Sequence, residues 1–135
     1  MKREKIVLVC VTDQKSCERL IKAGYLLSKT LDLKLKVLSV QPSNKMKNLQ
    51  ATPLEYLFSV CKSLDAEMQV YWGDNVNCVA VDYIRRNSVE QLIFGIPEKM
   101  VQGNFVYEVH QAFPNIPISI VDELDVVKIL DFSEI

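Results

Sequence analysis

The sequence predicts an α/β fold of three layers, in which a five-stranded parallel sheet lies between helices, as in flavodoxin-like and nucleotide-binding domains. Strand-like apolar runs alternate strictly with segments of helical periodicity, and the first run, residues 5–11 (KIVLVCV), is almost entirely apolar. Such a run is typical of a strand that is covered on both faces. Strict alternation favours right-handed crossovers within one parallel sheet. The length of 135 residues fits a single domain, residues 1–135.

The strands are predicted from short apolar or alternating runs that end at polar or turn residues. The five predicted strands cover residues 5–11, 33–40, 66–72, 91–95 and 116–121. Residues 41–50 are polar and contain a proline, so they are predicted to form a long flexible loop. Within the tail, residues 122–135, the run at 126–130 (VVKIL) has two interpretations, a short extra strand or a dimer contact.

The helices are predicted from apolar residues at a spacing of three and four. In the first helix these residues are Cys17, Leu20, Ile21, Gly24, Leu27 and Leu31. The second helix begins at Thr52 and Pro53, with Glu55 completing a capping box. The third is capped by Asp74 or Asn75, and the fourth runs from Phe105 to Phe113.

Composition excludes several classes of function. The net charge of −1 gives no electrostatic basis for binding nucleic acid, so no nucleic-acid partner is expected. No apolar run approaches the roughly 20 residues that a membrane span needs, and the N-terminus does not resemble a signal peptide. We therefore expect a cytoplasmic protein without a membrane partner.

The four cysteines predict reduced thiols and no metal site. They lie far apart in the sequence and include no C-x-x-C pair, and the chain has only one histidine. Because zinc sites need closely spaced cysteine and histidine ligands, these residues do not predict one. Cys10, Cys17 and Cys61 lie in apolar patterns and are expected to be buried and inert. Cys78 lies off its helix stripe and is expected to be exposed.

The segment after the fourth strand is the candidate ligand site. The strand ends at Gly95, a polar loop follows, and Gly103 and Asn104 precede the last helix. Ligands of open α/β sheets lie beyond the carboxyl ends of the strands, where glycines let the backbone approach a phosphate. Two structural alternatives stay open: Gly95 as a turn with positive φ, and Asn104 as the helix N-cap.

Several motifs, in this order and spacing, resemble universal stress proteins, above all the version inside potassium-sensing bacterial histidine kinases. Residues 9–22 (VCVTDQKSCERLIK) are similar to the first strand, turn and helix of these domains. Residues 92–95 (LIFG) resemble the fourth strand, and residues 117–121 (PISIV) resemble the closing strand. Gly73-Asp74 and residues 82–87 (DYIRRN) also match in position, so the likeness covers nearly the whole chain.

The resemblance implies a dimeric regulatory domain whose ATP-binding members carry G-x2-G-x9-G-[STN]. Gly95 matches the first glycine, and Gly103-Asn104 matches the closing pair about five residues early. Glu98 stands in place of the middle glycine and puts a negative charge where phosphates would lie. The resemblance places further nucleotide contacts at Thr12, Asp13 and the Val40 backbone.

These observations lead to one leading hypothesis and two alternatives. The leading one is a stress-response or signalling module with a reduced or lost ATP site. Its expected partners are a second copy of this chain and a signalling protein. The first alternative is a functional ATP switch, with Mg²⁺, whose nucleotide lies at the Gly95–Asn104 loop. The second is slow ATP hydrolysis, for which the sequence shows no evident general base or pair of metal-binding carboxylates. We therefore do not expect an enzyme.

Overall fold

The computed structural model describes residues 4–43, 53–96 and 104–130. In these ranges the strands are β1 (Lys5–Cys10), β2 (Lys34–Pro42), β3 (Glu67–Gly73), β4 (Ser88–Gly95), β5 (Ile118–Val121) and β6 (Val127–Ile129). The helices are α1 (Glu18–Leu31), which follows a 3-10 turn at Lys15–Cys17, α2 (Pro53–Ser63), α3 (Val76–Arg86) and α4 (Phe105–Ala112). The alternation of strands and helices is as predicted.

The strands form one sheet in the order β3-β2-β1-β4-β5-β6. The first five are parallel, and β6 pairs antiparallel with β5, with Val127 opposite Val121. The prediction of a purely parallel sheet of five strands is therefore wrong. Of the two interpretations of residues 126–130, the structure shows the extra strand.

The added strand depends on the turn that Asp122 forms after β5. Its Oδ1 accepts hydrogen bonds from the backbone N–H groups of Leu124 and Val126, at 2.8 and 2.9 Å. Asp125 adopts a left-handed conformation, with φ of 63°, which aspartate tolerates better than most residues. The chain reverses here, so β6 runs back along the edge of β5.

β1 lies in the middle of the sheet and is covered on both faces, as its apolar run predicted. Its residues Val7 and Val9 belong to the core beneath α1 and α2. Ile6 and Leu8 belong to the core beneath α3 and α4. The four side chains are at most 1% exposed, so the sheet forms the middle of three layers.

Helix α1 approaches the sheet closely at Gly24. A Cβ at this position would overlap Cγ2 of Val9 and would lie 3.0 Å from Cδ1 of Leu35. Only hydrogen fits between the helix backbone and these side chains. The absence of a side chain at Gly24 therefore sets the distance between α1 and the strands below it.

Several predicted boundaries shift because neighbouring strands continue their pairing. β2 extends through Gln41 and Pro42, which pair with Trp72 and Gly73 of β3, so the predicted loop at 41–50 is wrong at its start. β4 begins at Ser88, which pairs with Lys5, rather than at residue 91. The cap predicted at Thr52 and residues 44–50 lie outside the described residues.

Replacing Gly24 with alanine should destabilise the protein although alanine is the better helix former. Overpacking typically costs about 1–3 kcal/mol, which exceeds the gain of about 1 kcal/mol in helix propensity. Denaturant unfolding of Gly24→Ala should therefore show a lower free energy of unfolding.

Gly95→Ala is the matched control for this prediction. Its Cβ would lie 3.6 and 4.0 Å from the Cδ atoms of Leu20, which is ordinary contact. The free energy of unfolding should stay within about 1 kcal/mol of the parent protein. Equal stability of the two variants would contradict the close approach at Gly24.

Candidate functional site

A cavity of about 340 Å³ opens at the carboxyl ends of β1, β2 and β4. The amino-terminal ends of α1, α3 and α4 surround it. It is lined by Cys10, Val11, Thr12, Cys17, Arg19, Leu20, Leu38, Val40, Val76, Phe94, Gly95, Ile96, Phe105 and Val106. The chain leaves β1 towards β2 on one side, whereas β4 lies on the other, so the cavity occupies the switch point at which such sheets bind ligands.

The structure brings together three of the six predicted site residues. Thr12 lines the cavity from the turn that follows β1, Val40 from β2 and Gly95 from the end of β4. Asp13 and Asn104 are not among the lining residues, although each adjoins one in sequence. Gly103 lies outside the described residues.

Gly95 does not need the conformational freedom of glycine. Its φ lies outside the left-handed region, and an alanine Cβ would meet only Leu20 at ordinary contact distance. The alternative of a turn with positive φ is therefore wrong. Gly95 is the last residue of β4 and lines the cavity.

Asn104 caps α4, as one of its two interpretations predicted. Its Oδ1 accepts hydrogen bonds from the N–H groups of Val106 and Tyr107, at 2.9 and 3.4 Å. Asn75 rather than Asp74 caps α3, accepting from the N–H of Cys78 at 3.1 Å. These caps occupy N–H groups that an uncapped helix end would offer to an anion.

Arg19 is the functional candidate that the sequence analysis missed. It is the sole charged residue among the described residues that line the cavity, and it is half-buried. A signal was present in the sequence, because Arg19 falls in the first turn of α1, where the helix dipole disfavours a cation. A residue that breaks such a local rule often serves a site.

Comparisons with known proteins agree with this geometry. No protein-family model and no curated protein matches the chain. Among solved structures, the universal stress protein from Archaeoglobus fulgidus superposes with a TM-score of 0.66 at 16% identity, over 87% of this chain and 93% of that one. The chain has the universal stress protein fold.

Two further structures with the universal stress protein fold were determined with bound nucleotides. One is a universal stress protein in complex with cAMP, with a TM-score of 0.58 at 13% identity, covering 89% of this chain and 98% of that one. The other is the Archaeoglobus fulgidus protein in complex with dAMP, with a TM-score of 0.61 at 15% identity and the same coverage. At these identities the comparison establishes the fold.

In this chain, the cavity of the universal stress fold has apolar walls and few polar groups. The Thr12 hydroxyl lies 3.4 Å from the sulfur of Cys17. Phe94 and Phe105 pack edge to face, with ring centroids 5.4 Å apart. No described lining residue is a histidine or a carboxylate.

Two properties of the described residues bear on metal binding and on membrane spans. Among them, no three His, Cys, Asp or Glu side chains cluster in a way that could hold a metal ion. No helix in the described ranges is long and apolar enough to cross a membrane.

Three of the four thiols have the burial predicted for them, whereas Cys10, which was expected to be buried, borders the cavity. Cys17 and Cys61 are buried, Cys10 is partly buried and Cys78 is exposed. Burial raises the pKa of the Cys10 thiol and raises the pKa of Cys61 to about 11. Because the thiolate is the reactive form, both groups are poor nucleophiles near neutral pH.

Ellman's reagent should distinguish the four thiols in the native protein. We expect one fast equivalent from Cys78 at pH 8 and three slow ones, whereas all four should react rapidly in denaturant. The Cys78→Ser variant should lose the fast phase. A fast phase that persists in that variant would show that one of the other three thiols is reactive, contrary to this prediction.

Proposed function

We propose that this chain is a nucleotide-binding regulatory module of the universal stress type, acting in the cytoplasm in bacterial stress response or signalling. The observation that carries the proposal is the apolar cavity at the switch point of the sheet, lined by Thr12, Val40 and Gly95. The cAMP and dAMP complexes of proteins with the same fold support a nucleotide as the ligand.

The cavity has the size and surface that an adenine ring requires. Ligand pockets usually enclose about 300–1,000 Å³ and are mostly apolar, and this one encloses about 340 Å³. Phe94, Phe105 and Val40 offer aromatic and aliphatic surface, and the Thr12 hydroxyl can donate or accept a hydrogen bond. A compact nucleotide therefore suits the cavity better than a long polyanion does.

We propose that the ATP site is reduced. The loop that follows Gly95 carries Glu98 in place of the middle family glycine, and its closing Gly103-Asn104 comes early. A carboxylate near a triphosphate weakens binding, and Asn104 already caps α4. The alternative is a functional ATP switch in which Asp13, Val40, Gly95, Gly103 and Asn104 form the pocket with Mg²⁺.

We propose binding rather than catalysis as the activity. Hydrolysis of a bound nucleotide requires a group that positions or deprotonates water. The described walls supply a hydroxyl, two thiols and one guanidinium, but no imidazole or carboxylate. A regulatory module needs only that the bound and free states differ in their affinity for a partner.

Calorimetric titration with AMP, cAMP and ATP plus Mg²⁺ tests the proposal. AMP or cAMP should bind more tightly than ATP, and no phosphate should be released from ATP. Thr12→Trp should weaken binding by narrowing the exposed mouth of the cavity, whereas Thr12→Ser should not. Tighter binding of ATP would favour the switch, and no binding of any adenine nucleotide would refute the proposed function.

We also propose that the module forms a homodimer through β6. Val127 and Ile129 on this edge strand are 51% and 78% exposed, and Leu26 of α1, which lines the same groove as Val127, is 67% exposed. The outer backbone edge of β6 can pair with the same strand of a second copy about a two-fold axis. The exposed apolar side chains of β6 and of Leu26 on α1 would then be covered by the second copy.

Sedimentation velocity at micromolar concentration tests the dimer. The parent protein should sediment as a dimer, and Ile129→Lys should shift it to monomer because the charge would be buried at the contact. Phe58→Lys, an exposed position on α2 at the opposite end of the sheet, should remain dimeric. A parent protein that stays monomeric would rule the dimer out.

A further inference from the structure

We propose that the guanidinium of Arg19 binds the phosphate of the nucleotide, so that α1, and not the Gly95–Asn104 loop, supplies the anion contact. This inference rests on the proposed function and specifies its ligand as a nucleotide with a single phosphate. It is carried by the position of Arg19 on the cavity wall and by the way its side chain is held.

Two carbonyl groups at the end of β5 fix the Arg19 side chain. Nη1 donates to the carbonyl oxygen of Val121 at 3.1 Å and to that of Asp122 at 2.6 Å. Both acceptors lie more than 100 residues away in sequence, so this orientation is a product of the fold. A guanidinium held in this way loses little further conformational entropy when an anion binds.

The remaining donors of Arg19 form no hydrogen bond with a described residue. Within the described ranges, the side chain donates only through Nη1, to the carbonyl oxygens of Val121 and Asp122. Nε and Nη2 form the other edge of the guanidinium, whose geometry matches two phosphate oxygens at once. Arg19 therefore has one edge for the protein and one for an anion.

Among the described residues, no carboxylate forms a salt bridge with Arg19, although Glu18 and Asp125 line the groove that Arg19 also borders. The nearby Asp122 side chain accepts backbone N–H groups of its own turn. The apolar walls of the cavity reduce solvent screening, which strengthens the attraction for an anion. One guanidinium matches one phosphate group, not the several charges of a triphosphate.

The neighbouring cations of α1 and its preceding turn serve other contacts. Lys22 pairs with Glu18 at 2.8 Å, and Lys15 lies over the ring of Tyr56 at 5.5 Å. Both line the groove between α1 and β5–β6, which Arg19 also borders, but only Arg19 lines the cavity as well. Lys22 therefore offers a matched control, because it carries the same charge one turn away from Arg19.

Titration of AMP and adenosine into the parent protein and the variants Arg19→Gln, Arg19→Lys and Lys22→Gln tests the inference. AMP should bind the parent about 10- to 100-fold more tightly than adenosine, as expected for a charge-assisted contact. Arg19→Gln should abolish that preference while adenosine affinity stays unchanged. Arg19→Lys should retain part of it, because an ammonium cannot bridge carbonyls and phosphate as a guanidinium does. Lys22→Gln should retain all of it.

The outcomes separate this inference from the proposed function. If AMP and adenosine bind the parent equally, or if Arg19→Gln keeps the preference for AMP, the role of Arg19 is overturned while the nucleotide module stands. If neither ligand binds the parent, both are overturned. Should Arg19→Gln fail to fold, titrations of the parent protein at increasing salt concentration decide. The affinity for AMP must then fall with rising salt, because salt screens the contact between charges, whereas the affinity for adenosine must stay unchanged.

Discussion

The close contact between α1 and the central strands at Gly24 is the constraint on which the rest of the structure depends. The helix lies against Val9 and Leu35 with no room for a side chain between them. This contact sets the distance between α1 and the sheet. Its first turn then places Cys17, Arg19 and Leu20 over the carboxyl ends of the strands.

The strand order converts this packing into a ligand site. With β1 between β2 and β4, three helices begin around one opening, and the strand ends supply its floor. The termini of α3 and α4 are already capped by Asn75 and Asn104. In the complex that we propose, the phosphate contacts the Arg19 side chain at the start of α1 rather than these two capped termini.

Most of the elements followed from local patterns because each buries a simple apolar face. The continuous run of β1 and the cap at Asn104 appear as predicted, and the stripe of α1 is buried at Cys17, Leu20, Ile21 and Gly24 but exposed at Leu31. β6 was harder to predict, since three exposed residues leave no burial pattern, and its pairing depends on the Asp122 turn. Of the predicted site, Thr12, Val40 and Gly95 converge at the cavity because each lies at or just beyond the carboxyl end of a parallel strand.

The sequence by itself determined the alternation of strands and helices and the strands whose ends form the site, because hydrophobic periodicity and turn residues are local properties. Only the tertiary structure decided the antiparallel edge strand, the conformation of Gly95 and the orientation of Arg19. Each of these depends on groups that are distant in the chain, above all the carbonyls of Val121 and Asp122 that hold Arg19 across 102 and 103 residues. Contacts at such separation exist only once the sheet has formed.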